Sequence, residues 1–371
     1  MIKFNETYKS KSLKKYLNDL SQNNSFLSNK YRDICNEHIS ENYNYKYFLL
    51  THSATAALEV SAMILKEDEK YKNSSVFMPS YTFSSTANAF LRSNYDVKFI
   101  DIDPATMMAE TSKLPLKKND IFVPVHYAGS YFDFDEFFIN NNRKDITIIE
   151  DSAQAFGVKY KNKLAGNYGR MSCFSFHPTK NIHAGFGGML TFQNKRDYES
   201  AQYIYERGTD RSKVISGQKK KYEWVSLGSS FEMSELSSAV LLSQLEDVDY
   251  IQSRKKFIYQ LYQNNLQALI DEGTIRTQEI PNFIESNYHS FYILLNETNS
   301  NFINYLYENG VQSYIGYTPL HSSKYGRKNN LYTKLKNTEF YHKRLVRLPS
   351  HANLTDSEVN FITNIVKKYF I

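Results

Sequence analysis

Between about residues 47 and 192 the chain alternates short apolar runs with amphipathic stretches, a rhythm that few architectures can absorb. "YFLLTHSATAALEVSAMILKE" reads as a strand passing into a helix, with Ser53 or Thr55 near the helix start. "SVFMPSYTFSSTANAFLRSN" repeats strand, turn and helix, and "DVKFIDID", "DIFVPVHYAG" and "DITIIEDSAQAFG" are further compact apolar runs that end in polar residues. Such runs suit strands buried on both faces. The pattern therefore predicts βαβ units and a mainly parallel sheet covered by helices, an α/β fold. Ligands gather at the carboxyl ends of the strands in these sheets, and Pro79, His126 and Asp151 fall at or just beyond such ends.

The pattern changes after Gly188. From Met233 onward Leu236, Val240, Leu241, Leu245, Val248 and Ile251 recur at helical spacing. They predict a long helical connector running towards Leu269, its apolar stripe packing a core. Beyond it lie strand-like "YHSFYILL", helical "SNFINYLYENG", strand-like "VQSYIGYTPLH" and a terminal amphipathic helix in "DSEVNFITNIVKKYF". The expected organisation is a large domain over residues 1–245, with an N-terminal helical arm, and a smaller α+β domain over 246–371. A chain of 371 residues is long enough for both cores.

No apolar run reaches 18 residues and the basic start lacks an apolar segment, so neither a membrane span nor a secretory signal is expected. Cys35 and Cys173 form no metal or redox pattern, which suits reduced thiols in a cytoplasmic protein. The formal charge of +6 invites a nucleic-acid reading. Against it, acids are mixed among the basic residues, and the dense stretches "YKSKSLKKY" and "RSKVISGQKKKYEW" lack the aromatic interleaving of a stacking platform. The first reads as a solvated face. The second, with Arg211, Lys213, Lys219, Lys220 and Lys221, suits a small anion such as a nucleotide diphosphate.

"SFHPTKNIHAGFGG", Ser175 to Gly188, places Lys180 in a turn between strand-like "MSCFSF" and a glycine-rich run. Most lysines are solvated surface charges, so the stretch alone leaves a nucleophile and an ordinary side chain both open. Three other pieces bear on it. "SATAAL" puts small residues and hydroxyls at a helix start, where free N–H groups favour a phosphate, although a plain N-cap at Ser53 explains it too. "IIEDSAQ" sets two acids and Gln154 at a strand end, and "PSYTF" delivers Tyr81 and Phe83 after another. A phosphate cradle, a buried carboxylate, a stacking ring and a lysine are together what pyridoxal 5'-phosphate requires.

The segments "MPSYTFSSTANAF", "VPVHYAG", "CFSFHPTKN" and "GTDRS", followed by "LGSSFEMSEL", resemble those of the DegT/StrS-type nucleotide-sugar aminotransferases. These have the fold-type I architecture of aspartate aminotransferase. The likeness spans nearly the whole chain and is weak before about Tyr45. It implies that Lys180 is the Schiff-base lysine and that the Ala54 N–H, the Thr55 hydroxyl and the Ser175 hydroxyl hold the cofactor phosphate. It further implies that Phe83 stacks on the pyridine ring, that Asp151 pairs with the ring nitrogen and that Gln154 lies beside the ring. The implied reaction moves an amino group from L-glutamate, leaving 2-oxoglutarate, to C4 of dTDP-4-dehydro-6-deoxyglucose. The implied assembly is a homodimer with shared active sites.

Two departures stand out. Phe186 replaces an acid in "GFGG", and Ser230 falls where many relatives bring an Asn from the neighbouring subunit to the phosphate. His126 and His177 read first as orienting or packed side chains, while His321 in "YTPLH" is a candidate for reaching the sugar. The basic segment is the candidate for the pyrophosphate. Amination at C3, a sugar dehydratase and a non-catalytic relative are the alternatives, and Lys180 argues against the dehydratase, whose Schiff-base position carries His. No spacing suggests a metal.

Overall fold

The structure, a computed structural model, describes residues 1–24, 26–112, 114–141 and 145–371. Seven of the apolar runs hydrogen-bond into one sheet: β1 (Tyr47–Thr51), β2 (Ser75–Pro79), β3 (Asp96–Ile100), β4 (Ile121–Phe122), β5 (Thr147–Asp151), β6 (Met171–Ser175) and β7 (Gly188–Phe192). Their order is β1-β7-β6-β5-β4-β2-β3. All run parallel except β7, which is antiparallel to both β1 and β6. The central strands β5, β6 and β7 are buried at every residue, which is why they read as unbroken apolar runs.

The reversal of β7 decides what meets at the carboxyl edge of the sheet. Its first residue, Gly188, pairs with Thr51 at the end of β1 and with Ser175 at the end of β6. The chain leaving β1 then starts the helix Ala54–Glu67, which buries Ala56, Ala57, Val60, Ile64 and Leu65. A Cβ on Gly188 would stand 2.4 Å from the Ser53 carbonyl carbon and 2.5 Å from the Ala54 nitrogen, so only glycine lets strand and helix start approach this closely.

The helical stripe after Met233 forms two helices, Glu235–Glu246 and Val248–Asp271, rather than one connector. Asp247 lies between them at φ −103° and ψ 11°, and its N–H donates to the Gln244 and Leu245 carbonyls. Aspartate competes poorly inside a helix and well at its ends. Beyond it, β8 (Ile275–Thr277), β9 (Phe291–Leu295) and β10 (Leu345–Leu348) form an antiparallel sheet in that order. A core containing Ile258, Tyr262, Phe291, Val346 and Ile362 joins this sheet to the helices Val248–Asp271 and Asp356–Tyr369. The terminal helix opens on a capping box between Thr355 and Glu358.

"VQSYIGYTPLH" forms no regular strand. It makes isolated bridges, Val311 to Ile2 and Tyr314 to Arg347, before Gly316 and Pro319 interrupt the ladder. Both cysteines are buried and free. No helix among the described residues is long and apolar enough to cross a membrane.

Gly188→Ala should lower stability by ~1–3 kcal/mol through overpacking, read as a reduced thermal midpoint. An unchanged midpoint would show that the helix start shifts freely and that the close approach is incidental.

Candidate active site

A cavity of about 510 Å³ opens at the carboxyl edge of the large sheet. One end is built from the start of the helix Ala54–Glu67. Ser53 is extended, and its Oγ accepts the Ala56 N–H at 3.1 Å, so Ser53 rather than Thr55 caps the helix. The Ala57 N–H turns back to the Ser53 carbonyl. Ala54 and Thr55 therefore present the N–H groups that a first helical turn leaves without an intrahelical acceptor. The Thr55 hydroxyl lies 2.7 Å from that of Ser85, and Ser175 at the end of β6 lines the same wall. Amide donors, hydroxyls and the positive end of the helix dipole converge there without a resident anion among the side chains.

The other end is set by two neighbouring carboxylates that point to opposite faces of β5. Glu150 is fully buried and saturated. It accepts from His126 Nε2 at 3.0 Å, from the Gly169 and Tyr168 N–H groups at 2.6 and 3.1 Å, and from the Tyr131 hydroxyl. Burial opposes its charge, but these donors outweigh it and hold its pKa below the usual value. The Phe132 N–H donates to His126 Nδ1, which fixes the ring as the Nε2–H tautomer that serves Glu150.

Asp151, one residue on, lines the cavity. Its Oδ2 accepts from the Thr86 hydroxyl at 2.6 Å and its Oδ1 from the Ala153 N–H at 3.1 Å. Two donors on a carboxylate with about four acceptor sites leave capacity for a ligand N–H. Gln154 lies beside it, with Oε1 on the Ala128 N–H at 2.7 Å and Nε2 donating to the Tyr317 hydroxyl at 2.6 Å. Phe83, the residue before the helix Ser84–Arg92, is 61 % exposed and lines the cavity, an aromatic face with no covering partner among the described residues.

Lys180 closes the constellation. The turn that carries it is fixed by its own N–H on the His177 carbonyl at 2.8 Å, by the Asn181 amide on the Asn287 carbonyl at 2.6 Å, and by His289 Nδ1–H on Asn181 Oδ1 at 3.1 Å. Enclosure by the cavity walls pushes the Lys180 ammonium down to about 8. The charge of Asp151 opposes that shift and the charge of Arg347 adds to it. Near neutral pH an appreciable fraction of the amine is thus uncharged and able to attack a carbonyl, unlike a solvated lysine.

Ala54, Thr55, Phe83, Asp151, Gln154, Ser175 and Lys180 are all brought to this one cavity. His321 is not. It is buried, with Nδ1 2.7 Å from the Ser80 hydroxyl and Nε2 3.3 Å from Glu339, and does not line the cavity. The member of "YTPLH" that does is Tyr317. Arg211, Lys219, Lys220 and Lys221 also lie off the cavity of their own chain, and Lys219 is already paired with Asp210 and with Glu223 at 2.8 Å. Ser230 accepts from Arg207 at 3.1 Å, and Phe186 stands at the rim with its ring 5.1 Å from that of His177. Thr86, Tyr317, His289, Arg347, Phe4 and Asn5 went unseen in the sequence. "STANAF" held a signal for Thr86, a hydroxyl on the helix after an aromatic turn, but nothing local marks the others.

Residues 8–367 match the model of the DegT/DnrJ/EryC1/StrS aminotransferase family. A protein of Methanocaldococcus jannaschii without an assigned role is 29 % identical over 346 residues, covering 90 % of this chain and 88 % of its own. Among solved structures, Helicobacter pylori PseC, an aminotransferase involved in pseudoaminic acid biosynthesis, superposes with a TM-score of 0.88 at 22 % identity, covering 99 % of this chain and 98 % of the other. The pyridoxal-phosphate form of Spr1654 from Streptococcus pneumoniae, described as a sugar aminotransferase, gives 0.88 at 20 % identity and covers 99 % of each chain.

The depressed Lys180 pKa has a direct readout. Borohydride trapping of a small aldehyde on Lys180 in the cofactor-free protein, followed by mass spectrometry of the peptide, should rise about tenfold per pH unit up to about 8 and then level off. A rise that continues past pH 10 would mark an ordinary lysine. Asp151→Asn should leave the fold intact and lower turnover by orders of magnitude, since an amide stabilises a ring cation far less than a carboxylate does.

Proposed function

Because the chain belongs to the DegT/DnrJ/EryC1/StrS aminotransferase family and is a pyridoxal-phosphate-dependent sugar aminotransferase, we propose that it transfers the amino group of L-glutamate to C4 of dTDP-4-dehydro-6-deoxyglucose. The observation that carries the aminotransfer chemistry is the pairing in one cavity of an enclosed amine, Lys180, with a half-satisfied carboxylate, Asp151; the dTDP sugar and C4 rest on the resemblance of the sequence motifs.

The residues fit the cofactor at both ends. The Ala54 and Thr55 N–H groups with the Thr55 and Ser175 hydroxyls suit its phosphate, and the open acceptor sites of Asp151 suit its protonated ring nitrogen. Phe83 offers a face for the ring and Gln154 an amide at its edge. When bound, the cofactor supplies an aldehyde carbon that takes up and releases the amino nitrogen, and a ring that accepts an electron pair. The chain does the rest. Thr86 and the Ala153 N–H hold the Asp151 carboxylate in one orientation, so its charge is not spent on reorganisation. Lys180 Nζ removes the proton from the donor's α-carbon and returns one at C4 of the acceptor, work for which a pKa near 8 is matched. Arg347, half-buried, lines the same cavity with no carboxylate partner among the described residues, and suits the carboxylate of the amino donor.

In this reading residues 1–245 form the cofactor-holding domain, and residues 246–371 form the smaller domain that contributes Tyr317 and Arg347. The enzyme works in the cytoplasm as a homodimer whose basic segment reaches the sugar nucleotide of the neighbouring site. In support, the segment exposes Ile215, Tyr222, Trp224 and Leu227, a cost to a lone protomer that a partner would relieve. Among the described residues Lys220 and Lys221 pair with no carboxylate, whereas Lys219 is already neutralised in cis.

Offering a panel of nucleotide keto sugars with glutamate and locating the new amine by NMR tests the assignment. A C4 amine from the 4-keto substrate is expected, and an amine at C3 overturns it. Lys180→Ala should abolish turnover, and wild-type rates in that variant would remove the whole reading. Neutralising Lys220 and Lys221 should raise KM for the sugar nucleotide and spare the glutamate half-reaction, an effect that fades at high salt.

A further inference from the structure

The N-terminal segment belongs to the cavity wall, a property that its sequence gives no hint of. Ile2 makes a parallel bridge to Val311, with its N–H on the Gly310 carbonyl at 2.7 Å and its carbonyl accepting the Gln312 N–H at 3.0 Å. The Phe4 N–H donates to Gln312 Oε1 at 3.1 Å. Further on, the Tyr8 carbonyl accepts from His183 Nε2 at 3.3 Å and from the Gln244 amide at 3.2 Å. The segment is thus fastened at one end beside the small sheet and at the other to the large domain, and between the fastenings Phe4 and Asn5 line the cavity.

Phe4 meets Arg347 there. The guanidinium carbon lies 5.2 Å from the centre of the Phe4 ring, and Tyr314 holds that ring edge-on at 4.9 Å. Arg347 Nε donates to the Ile315 carbonyl at 3.0 Å and a terminal nitrogen to the Gly316 carbonyl at 3.5 Å, but no carboxylate among the described residues pairs with the head group. Arg347 and Lys180 are the only arginine or lysine among the residues lining the cavity. Arg347 lines the same cavity as the Lys180 amine, and the carboxylate of an α-amino acid sits one carbon from the reacting nitrogen. The diphosphate of a sugar nucleotide is attached at the far side of the ring from C4, several bonds away.

We propose that Phe4 is a positioning residue: its ring holds the Arg347 guanidinium towards the cavity, so that the N-terminal segment sets affinity for the carboxylate of the amino donor and leaves the sugar nucleotide unaffected. The proposal rests on the reading of Arg347 given above. The physical basis is that a planar cation over an aromatic face keeps its edge open: Nε and one terminal nitrogen are turned to the Ile315 and Gly316 carbonyls, the other terminal nitrogen keeps its N–H groups for a carboxylate, and the ring excludes competing water.

The test is calorimetric titration of the holoenzyme with glutarate, a dicarboxylate that has no amine to react, alongside steady-state kinetics with varied donor and acceptor. Phe4→Ala should weaken glutarate binding and raise the donor KM about five- to tenfold, the scale of a cation–π contact between half-buried partners. The acceptor KM and kcat at saturating donor should stay within twofold, and Phe4→Tyr should restore wild-type binding. Arg347→Gln should weaken glutarate binding further, and adding Phe4→Ala to it should cause no additional loss. Equal rises in both KM values, unchanged glutarate affinity in Phe4→Ala, or additive losses in the double variant would overturn the proposal. Failure of every keto sugar as acceptor would defeat the functional reading instead, because the glutarate titration reports on Phe4 and Arg347 without turnover.

Discussion

The approach of Gly188 to the Ser53–Ala54 peptide is the contact to which the rest of the site is registered. It joins the one reversed strand of the sheet to the start of the helix that offers its free N–H groups to the cavity. On the other side of β7, Ser175 ends the strand that leads into the Lys180 turn. The distance between the anion-binding end and the amine is therefore set by backbone pairing, the stiffest element available, and not by side-chain rotamers.

Two buried carboxylates in sequence would ordinarily destabilise each other and the strand that bears them. Here alternation along β5 separates them into different surroundings. Glu150 is paid in full by four donors and becomes part of the scaffold, whereas Asp151 is held by only two and stays receptive. The same division appears among the lysines. Lys255, buried more deeply than Lys180, donates to the His289 carbonyl at 2.9 Å and to Ser350, and so braces two stretches of the cavity wall, while the Lys180 amine has no hydrogen-bond partner among the described residues. Vacancy in a hydrogen-bond inventory, more than residue type, distinguishes the chemical groups from the structural ones.

Much of this was legible in the sequence because it is local. The unbroken apolar runs gave the strands, the capping residue Ser53 gave the helix start, and the strand-end acids gave the carboxylate, with the choice of Asp151 over Glu150 coming from the family resemblance and not from local pattern. That choice is set by which face of β5 the cavity occupies, a tertiary fact. Composition within "YTPLH" could not tell Tyr317 from His321, since the segment has no regular period to assign faces. Arg347 in "RLVRLPS" looks like any arginine on a short strand, and Phe4 like any residue near a chain start. Their roles arise from a meeting of residues more than 300 positions apart, which no periodicity encodes. The break at Asp247 was visible as a residue type but was masked by an apolar spacing that continues across it.

The pairing of β1 with β7 also dictates an order of events during synthesis. Residues 47–51 are made early, yet among the described residues their ladder partner is residues 188–192, with a single further bridge from Thr51 to Glu232, so β1 must wait for roughly 140 further residues before it can dock. Closing so long a loop is slow, and a chain is made from its N-terminus at ~5–20 residues per second. The emerging helix Ala54–Glu67 can pack early on the helix Ser84–Arg92, but the part of its apolar face that rests on β7 stays uncovered for several seconds at the ribosome, and its start takes its final place beside Gly188 only after Phe192 has been made.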